Sequence, residues 1–201
     1  DFNDVIAAEG KRDGRIGGQN SWVIDTLQKG DVLVVDLFGK IAWGTFAGDN
    51  LANSIKAKSG NGFIIDGACR DLEGILEIPD CPVFVRGWHP SYIRDVMLMG
   101  INVPVRIGQT TVAPGDVALG KREGVLFIPA HLAEEVVENS EFISLRDEFG
   151  HQRLREGKYT PGQIDARWTP EIETDFANWL TTDKSDEISP VHREKILKRK
   201  K

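Results

Sequence analysis

The sequence holds only two cysteines and two methionines among its 201 residues. Cys69 and Cys81 are too few for a disulfide framework and lack zinc-ligand spacing, so a stapled secreted scaffold is disfavoured and a reducing, cytoplasmic setting is expected. No apolar run approaches the length of a membrane span, and no secretory signal opens the chain. Positive charge is in deficit: 25 Lys and Arg stand against 31 Asp and Glu, a net charge of -6. That balance makes nucleic acid an unlikely partner and leaves no surface for an anionic membrane. Internal repeats and low-complexity tracts are also absent, as is a glycine-rich cofactor loop after the first strand, which argues against a methyltransferase. The first residue is Asp1 and not Met, so either a start inside a longer natural product or removal of residues by processing is expected.

What is present reads as a globular chain, with 40% apolar and 28% charged residues. The most informative stretch joins Gly48-Asp49-Asn50-Leu51 to Asp66-Gly67-Ala68-Cys69-Arg70-Asp71. Residues 49–59 have helical spacing in Leu51, Ala52 and Ile55, Gly60-Asn61-Gly62 breaks it, and Phe63-Ile64-Ile65 reads as a buried strand. A helix of about eleven residues climbs roughly 16 Å. A strand of about five residues descends roughly 16 Å. The two legs nearly cancel, which returns Arg70 and Asp71 to the level of Asp49. Both acids then stand where a helix begins, beside free backbone N–H groups and the positive end of a helix dipole. Two carboxylates, one guanidinium and open amides suit a divalent cation holding an anionic oxo-acid. On spacing alone the plainer reading, helix caps and a solvated Arg-Asp pair, is the more economical.

Along the rest of the chain, residues 1–9 read as a helix end and 10–20 as a glycine-rich loop. A short helix around Trp22 to Leu27 precedes a central strand at 31–36 and a second extended piece at 41–44. A helix from Asp71 to about Glu77 stops at Pro79, and Val83-Phe84-Val85 is the next strand. Tyr92, Val96 and Met99 suggest a helical turn or two within 91–100. Short strands at 103–107, 111–112, 117–119 and 125–128 surround a Pro114-Gly115 turn. From Ala130 a helical pattern runs to about Glu156, a connector spans 157–170, and 171–180 is an amphipathic helix. The tail after Thr181 is polar and ends on Lys195-Ile196-Leu197-Lys198-Arg199-Lys200-Lys201, more often a solvated end than a binding arm. The fold class is α/β, a layered β/β/α domain over 1–137 with a helical extension and basic tail over 138–201.

The runs 30–36, 48–52 and 65–71 resemble the RraA-like family, as do Pro82-Val83-Phe84-Val85-Arg86-Gly87, Val103-Pro104-Val105, Val112-Ala113-Pro114-Gly115-Asp116 and Gly124-Val125-Leu126-Phe127-Ile128-Pro129. That family contains class II 4-hydroxy-4-methyl-2-oxoglutarate aldolases, which also decarboxylate oxaloacetate, and regulators of ribonuclease E activity. The aldolase branch is marked by an Asp, twenty residues, then Arg-Asp, matched here by Asp49, Arg70 and Asp71. The resemblance implies a swivelling-domain fold and a homo-oligomer, a trimer or dimer of trimers. It implies a metal-dependent carbon–carbon lyase releasing pyruvate from a small oxo-acid, with Mg²⁺ or Mn²⁺ as cofactor; the alternative is a non-catalytic, protein-binding regulator.

By the same resemblance Asp71 is the metal ligand, Asp49 acts on the metal via water and relays a proton, and Arg70 is catalytic. Arg70 and the amides of Asn50, Leu51 and Ala52 bind substrate, and an unassigned acid comes from the neighbouring subunit. Arg86 and His89 are further pocket candidates, each weighed against a structural ion pair or an ordinary loop histidine. Cys69 reads as small buried packing more readily than as an activated thiol. The basic turn Gly120-Lys121-Arg122-Glu123-Gly124 and the His89 loop depart from the family pattern where substrate selectivity could be set.

Overall fold

The computed structural model describes residues 2–199, with the side chains of Phe2 and Asn3 excepted. Asp1, Lys200 and Lys201 lie outside the described residues, and with them one end of the expected first helix and part of the basic tail. The chain forms two compact units, residues 1–130 and 131–201. The division comes ahead of the expected 137/138 boundary because α5 (Ala133–Arg155) is one unbroken helix that carries residues 133–137 with the second unit.

The first unit opens with helices α1 (Phe2–Arg12) and α2 (Gln19–Asp25). It then lays down three parallel strands in the order β1 (Leu33–Ala47), β2 (Phe63–Cys69), β3 (Val83–Trp88). Helix α3 (Asp49–Ser59) links the first two strands, and the short α4 (Leu72–Leu76) the second and third. β2 is central and buried along its whole length, as its apolar sequence requires. Ile55 of α3 and Phe63 and Ile65 of β2 are at most 2% exposed and share one core with Leu33, Leu37 and Ile75. Burying side chains of this size contributes about 1.5–3 kcal/mol each. Helix α3 stops at Gly60, whose φ of 79° closes the last turn in a left-handed conformation open to glycine.

The two extended pieces expected at 31–36 and 41–44 are one fifteen-residue strand, β1. Its ladder to β2 slips between Asp36 and Lys40 and again beyond, and Phe38 and Trp43 take positive φ. These irregularities, each beside a glycine, make one strand look like two. Residues 91–100 contain no helical turn; Gly44 and Ile93 form an isolated bridge, and Met99 is 82% exposed.

Two antiparallel ribbons follow, β4 (Val105–Ile107) with β5 (Thr110–Val112), and β6 (Val117–Lys121) with β7 (Gly124–Ile128). The first ribbon is moored by two aspartates paired across the sheet, Asp36 and Asp66. Asp36 Oδ2 accepts the Arg106 N–H at 3.2 Å, and Asp66 Oδ2 the Gly108 N–H at 2.9 Å.

The second unit adds α6 (Pro161–Asp165), α7 (Pro170–Thr182) and α8 (Pro190–Lys198) to α5. Phe149, Trp168, Phe176 and Trp179 form its aromatic core, and the Arg146 guanidinium lies 3.4 Å from the Trp168 ring centroid. Arg146 also makes two hydrogen bonds to Glu173. Among the described residues no helix is long and apolar enough to cross a membrane.

Candidate active site

The three parallel strands end level with one another. Ala47 pairs with Cys69, and Cys69 with Trp88. The ladder continues one step further: Arg70 N–H donates to Ala47 O at 3.1 Å, and His89 N–H to Cys69 O at 2.9 Å. Gly48-Asp49, Arg70-Asp71 and His89 therefore emerge side by side at the carboxyl edge, where open parallel sheets place their ligands.

Asp49 is the first residue of α3, and Asp71 is the N-cap of α4. Asp71 sits in a left-handed conformation, φ 57°, and its carboxylate makes no capping bond. The N-cap Asp normally accepts a first-turn N–H. Here Asp71 Oδ2 turns instead to Arg70 Nε at 3.3 Å, an ion pair with both side chains more than one-third exposed. Such an exposed pair adds little stability.

Two glycines bring the helix starts into contact. A Cβ at Gly48 would stand 2.1 Å from Asp71 Oδ2, and one at Gly74 would stand 2.8 Å from Asp49 Oδ2. Each carboxylate thus occupies a notch in the other acid's helix. Gly74 is missing from the sequence reading; its signal was a glycine inside a short helix, which costs about 1 kcal/mol relative to Ala and calls for a packing reason.

The amides expected to hold a substrate carboxylate are unequal. Asn50 N–H already donates to Asp49 Oδ1 at 2.7 Å, and Ala52 N–H to Gly48 O at 3.0 Å. Among the described residues Leu51 N–H has no such partner, so the expected set of three reduces to one open donor and one, Asn50, that Asp49 covers.

Arg86 does not join Arg70 and Asp71. Its guanidinium donates to Asp66 Oδ1, and Asp66 is 6% exposed. The Arg86 hydrogen bond holds the Asp66 carboxyl below its usual range despite burial, and the same bond raises Arg86. The structure thus makes Arg86 an ion pair within the sheet. His89 stands at the edge beside Cys69, half-buried, with Nδ1 accepting the Ser91 N–H at 3.2 Å. Burial pushes the Cys69 thiol up to about 12, so it is packing and not a nucleophile. Lys56 of α3 donates to the carbonyls of Gly60 and Asp80, 2.7 Å each.

The donor set fits a hard divalent cation. Mg²⁺ takes one or two carboxylates, keeps several waters and completes its shell with substrate oxygens. Asp71, free of capping duty and seated in a notch that a Cβ would fill, with Asp49 beside Gly74, offers that many oxygens. Among the described residues no three His, Cys, Asp or Glu side chains converge, so the fit is to a cation that substrate and solvent help to hold.

A separate cavity of about 470 Å³ lies between α2, the first half of β1 and residues 93–106, and Asp49, Arg70 and Asp71 do not line it. Two of its polar side chains bond its own walls: Gln19 bonds Val96 O and Leu98 N–H, and Asn20 bonds Phe46 O.

Known proteins share this architecture. A Halalkalibacterium halodurans protein provisionally named 4-hydroxy-4-methyl-2-oxoglutarate aldolase is 29% identical over 149 residues, 73% of this chain and 70% of that protein. An uncharacterized protein from Pseudomonas syringae pv. tomato superposes with a TM-score of 0.66 at 25% identity, covering 74% of this chain and 68% of that one. Streptomyces coelicolor RraAS2, described as an unusual member of the RNase ES inhibitor RraA protein family, superposes with a TM-score of 0.61 at 31% identity, covering 66% and 67%. The RraA-like profile, described as Aldolase/RraA, matches residues 17–127, more than half of the chain, and the protein therefore belongs to the RraA-like family.

Proposed function

We propose that the protein is a divalent-metal-dependent lyase that cleaves a 4-hydroxy-2-oxo acid to pyruvate and decarboxylates oxaloacetate at the same site. The observation that carries this reading is the convergence of Asp49, Arg70 and Asp71 at the carboxyl edge, each acid packed on a glycine of the other's helix. The provisional name of the Halalkalibacterium halodurans relative supports it.

Both reactions break a carbon–carbon bond β to a ketone and leave an enolate, so the site must hold charge that appears only in the transition state. Mg²⁺ or Mn²⁺, held by Asp71 and reached by Asp49 through a water, would supply Lewis-acid polarisation of the keto acid's oxygens, worth several kcal/mol. Arg70 lies against Asp71 and donates to the oxygen on which enolate charge grows. Leu51 N–H, joined by Asn50 N–H once Asp49 turns away, binds the substrate carboxylate at the positive end of α3. Asp49 accepts the proton of the 4-hydroxyl as the C3–C4 bond breaks, the bond electrons pass to the 2-oxo oxygen, and the proton returns to C3 to give pyruvate. His89, at the same edge, is where the choice of oxo-acid is set. One chain brings two carboxylates, and a homo-oligomer, a trimer or dimer of trimers in which a neighbour adds a third, completes the proposal.

The test is pyruvate release coupled to NADH oxidation. Removing one aligned charged donor at such a site costs about 10²–10³-fold in kcat, so Arg70→Ala should fall that far and EDTA should abolish turnover until Mg²⁺ is restored. Turnover indifferent to both rejects the mechanism. Absence of turnover on every 4-hydroxy-2-oxo acid and on oxaloacetate favours a protein-binding regulator, the class to which the RraAS2 description points.

A further inference from the structure

We infer that Gly48 is a positioning residue whose missing side chain serves the Asp71 carboxylate and not the backbone. This rests on the metal-lyase reading and adds to it a residue that touches neither substrate nor metal.

Gly48 has φ -111° and ψ -166°, extended backbone open to any L-residue. As a cap glycine ranks only slightly below Ser, Asp or Asn, which would bond a first-turn N–H that glycine leaves open, so capping alone does not single it out. What a Cβ would meet explains the choice. It would stand 2.1 Å from Asp71 Oδ2, 3.1 Å from Arg70 Nε and 3.2 Å from Arg70 Cγ, where ordinary contact begins at 3.4 Å. All three atoms belong to side chains assigned to the site, and none to backbone. Other glycines nearby differ. Gly62 would drive a Cβ to 1.7 Å from the carbonyl oxygen of Pro82, a fold constraint, whereas Gly60 meets nothing and is needed for its positive φ.

The nature of the displaced atoms sets the consequence. Asp71 and Arg70 are 44% and 34% exposed, so both can swing into solvent. A methyl at 48 therefore leaves the fold standing while it expels the metal-binding carboxylate from its notch. Positional losses of about 1 Å cost a preorganised site heavily.

The experiment compares wild type, Gly48→Ala, Asp71→Ala and the double variant. The readouts are thermal melting, Mn²⁺ affinity from water-proton relaxation with Mn²⁺ alone and with oxalate (a planar chelating dianion resembling the enolate), and pyruvate release. The expected result for Gly48→Ala is a melting shift within about 2 °C, at least a tenfold loss of Mn²⁺ affinity and a fall in kcat larger than any rise in KM. In the Asp71→Ala background the carboxylate is gone and the methyl meets only Arg70, at 3.1 and 3.2 Å, so the double variant should bind Mn²⁺ no worse than Asp71→Ala. Wild-type Mn²⁺ affinity in Gly48→Ala, with Asp71→Ala deficient, overturns the positioning role and leaves the lyase reading intact. A large melting loss from Gly48→Ala in both backgrounds overturns it too, since the glycine would then serve the fold. Full Mn²⁺ affinity in Asp71→Ala removes the metal reading itself.

Discussion

Replacing Asp66 by Asn should destabilise the first unit without touching its chemistry. The carboxylate accepts two donors, the Arg86 guanidinium on Oδ1 and Gly108 N–H on Oδ2, in a site only 6% exposed. An Asn offers one oxygen and one NH₂, so one donor loses its acceptor. An unsatisfied buried donor costs about 1–3 kcal/mol, and a charged hydrogen bond contributes about 1.5–3 kcal/mol. The Arg86 side chain is 50% exposed, so solvent screens its share and the second figure falls toward the bottom of its range or below. A net loss of about 2 kcal/mol follows, and at about 2–4 °C per kcal/mol for a chain of this size the melt should drop about 6 °C.

The pH dependence has a definite sign. The folded Asp66 carboxyl titrates below its ordinary value of 3.8, chiefly through Arg86. Its contribution is therefore complete above about pH 4 and is lost as pH falls through the folded value. Wild type and Asp66→Asn should differ most near neutrality and converge in acid. The assay is chemical or thermal unfolding of both proteins from pH 7 to pH 2.5, with pyruvate release measured at a temperature well below either melt and expected to stay within about threefold, since Asp66 lies outside the acidic edge. A gap that stays constant down to pH 2.5, or no gap at pH 7, refutes the reasoning. Arg86→Ala that melts like wild type yet loses turnover would return Arg86 to the substrate.

In the helical unit Phe149 is 0% exposed, with ring centroids of Trp168 and Phe176 at 5.2 and 5.4 Å; Phe149→Ala should cost about 3–5 kcal/mol, read as early loss of near-ultraviolet dichroism. Cys69, its thiol pushed up to about 12 by burial, should resist iodoacetamide at pH 8 in the folded protein and react at once in urea, by mass spectrometry. Ready alkylation of the native Cys69 would show that the strand ends open far more than the structure indicates.

Legibility in the sequence followed the range of the forces involved. Helix α3 and strand β2 begin where expected because caps, glycine breaks and apolar period are local signals. The same local arithmetic brought Asp49 and Arg70-Asp71 to one level, since it needed only rise per residue. Strand β1 was split in two, because its register slips at Asp36–Lys40 are set by pairing with β2 and leave only a Phe-Gly and a Trp-Gly step behind. Arg86 was ambiguous for a related reason. Its partner Asp66 is on a neighbouring strand, and periodicity places Arg86 at a strand end without saying what it faces. Helices α6 and α8 carry local signals of the same kind: Thr160-Pro161 with Gln163 forms a capping box, and Ser189-Pro190 opens α8 with a bond from His192 N–H. Of the glycine notches only Gly74 leaves a local trace, a glycine inside a short helix; what each notch holds exists only once two helix starts meet.

The stitches beyond the strand ends, Arg70 to Ala47 and His89 to Cys69, fasten the loops of the carboxyl edge at their roots. Whatever binds at that rim meets a main chain already immobilised by the central sheet. Adaptation to different guests is thereby confined to rotamers, and inheritance could retune selectivity one side chain at a time without re-engineering the scaffold beneath.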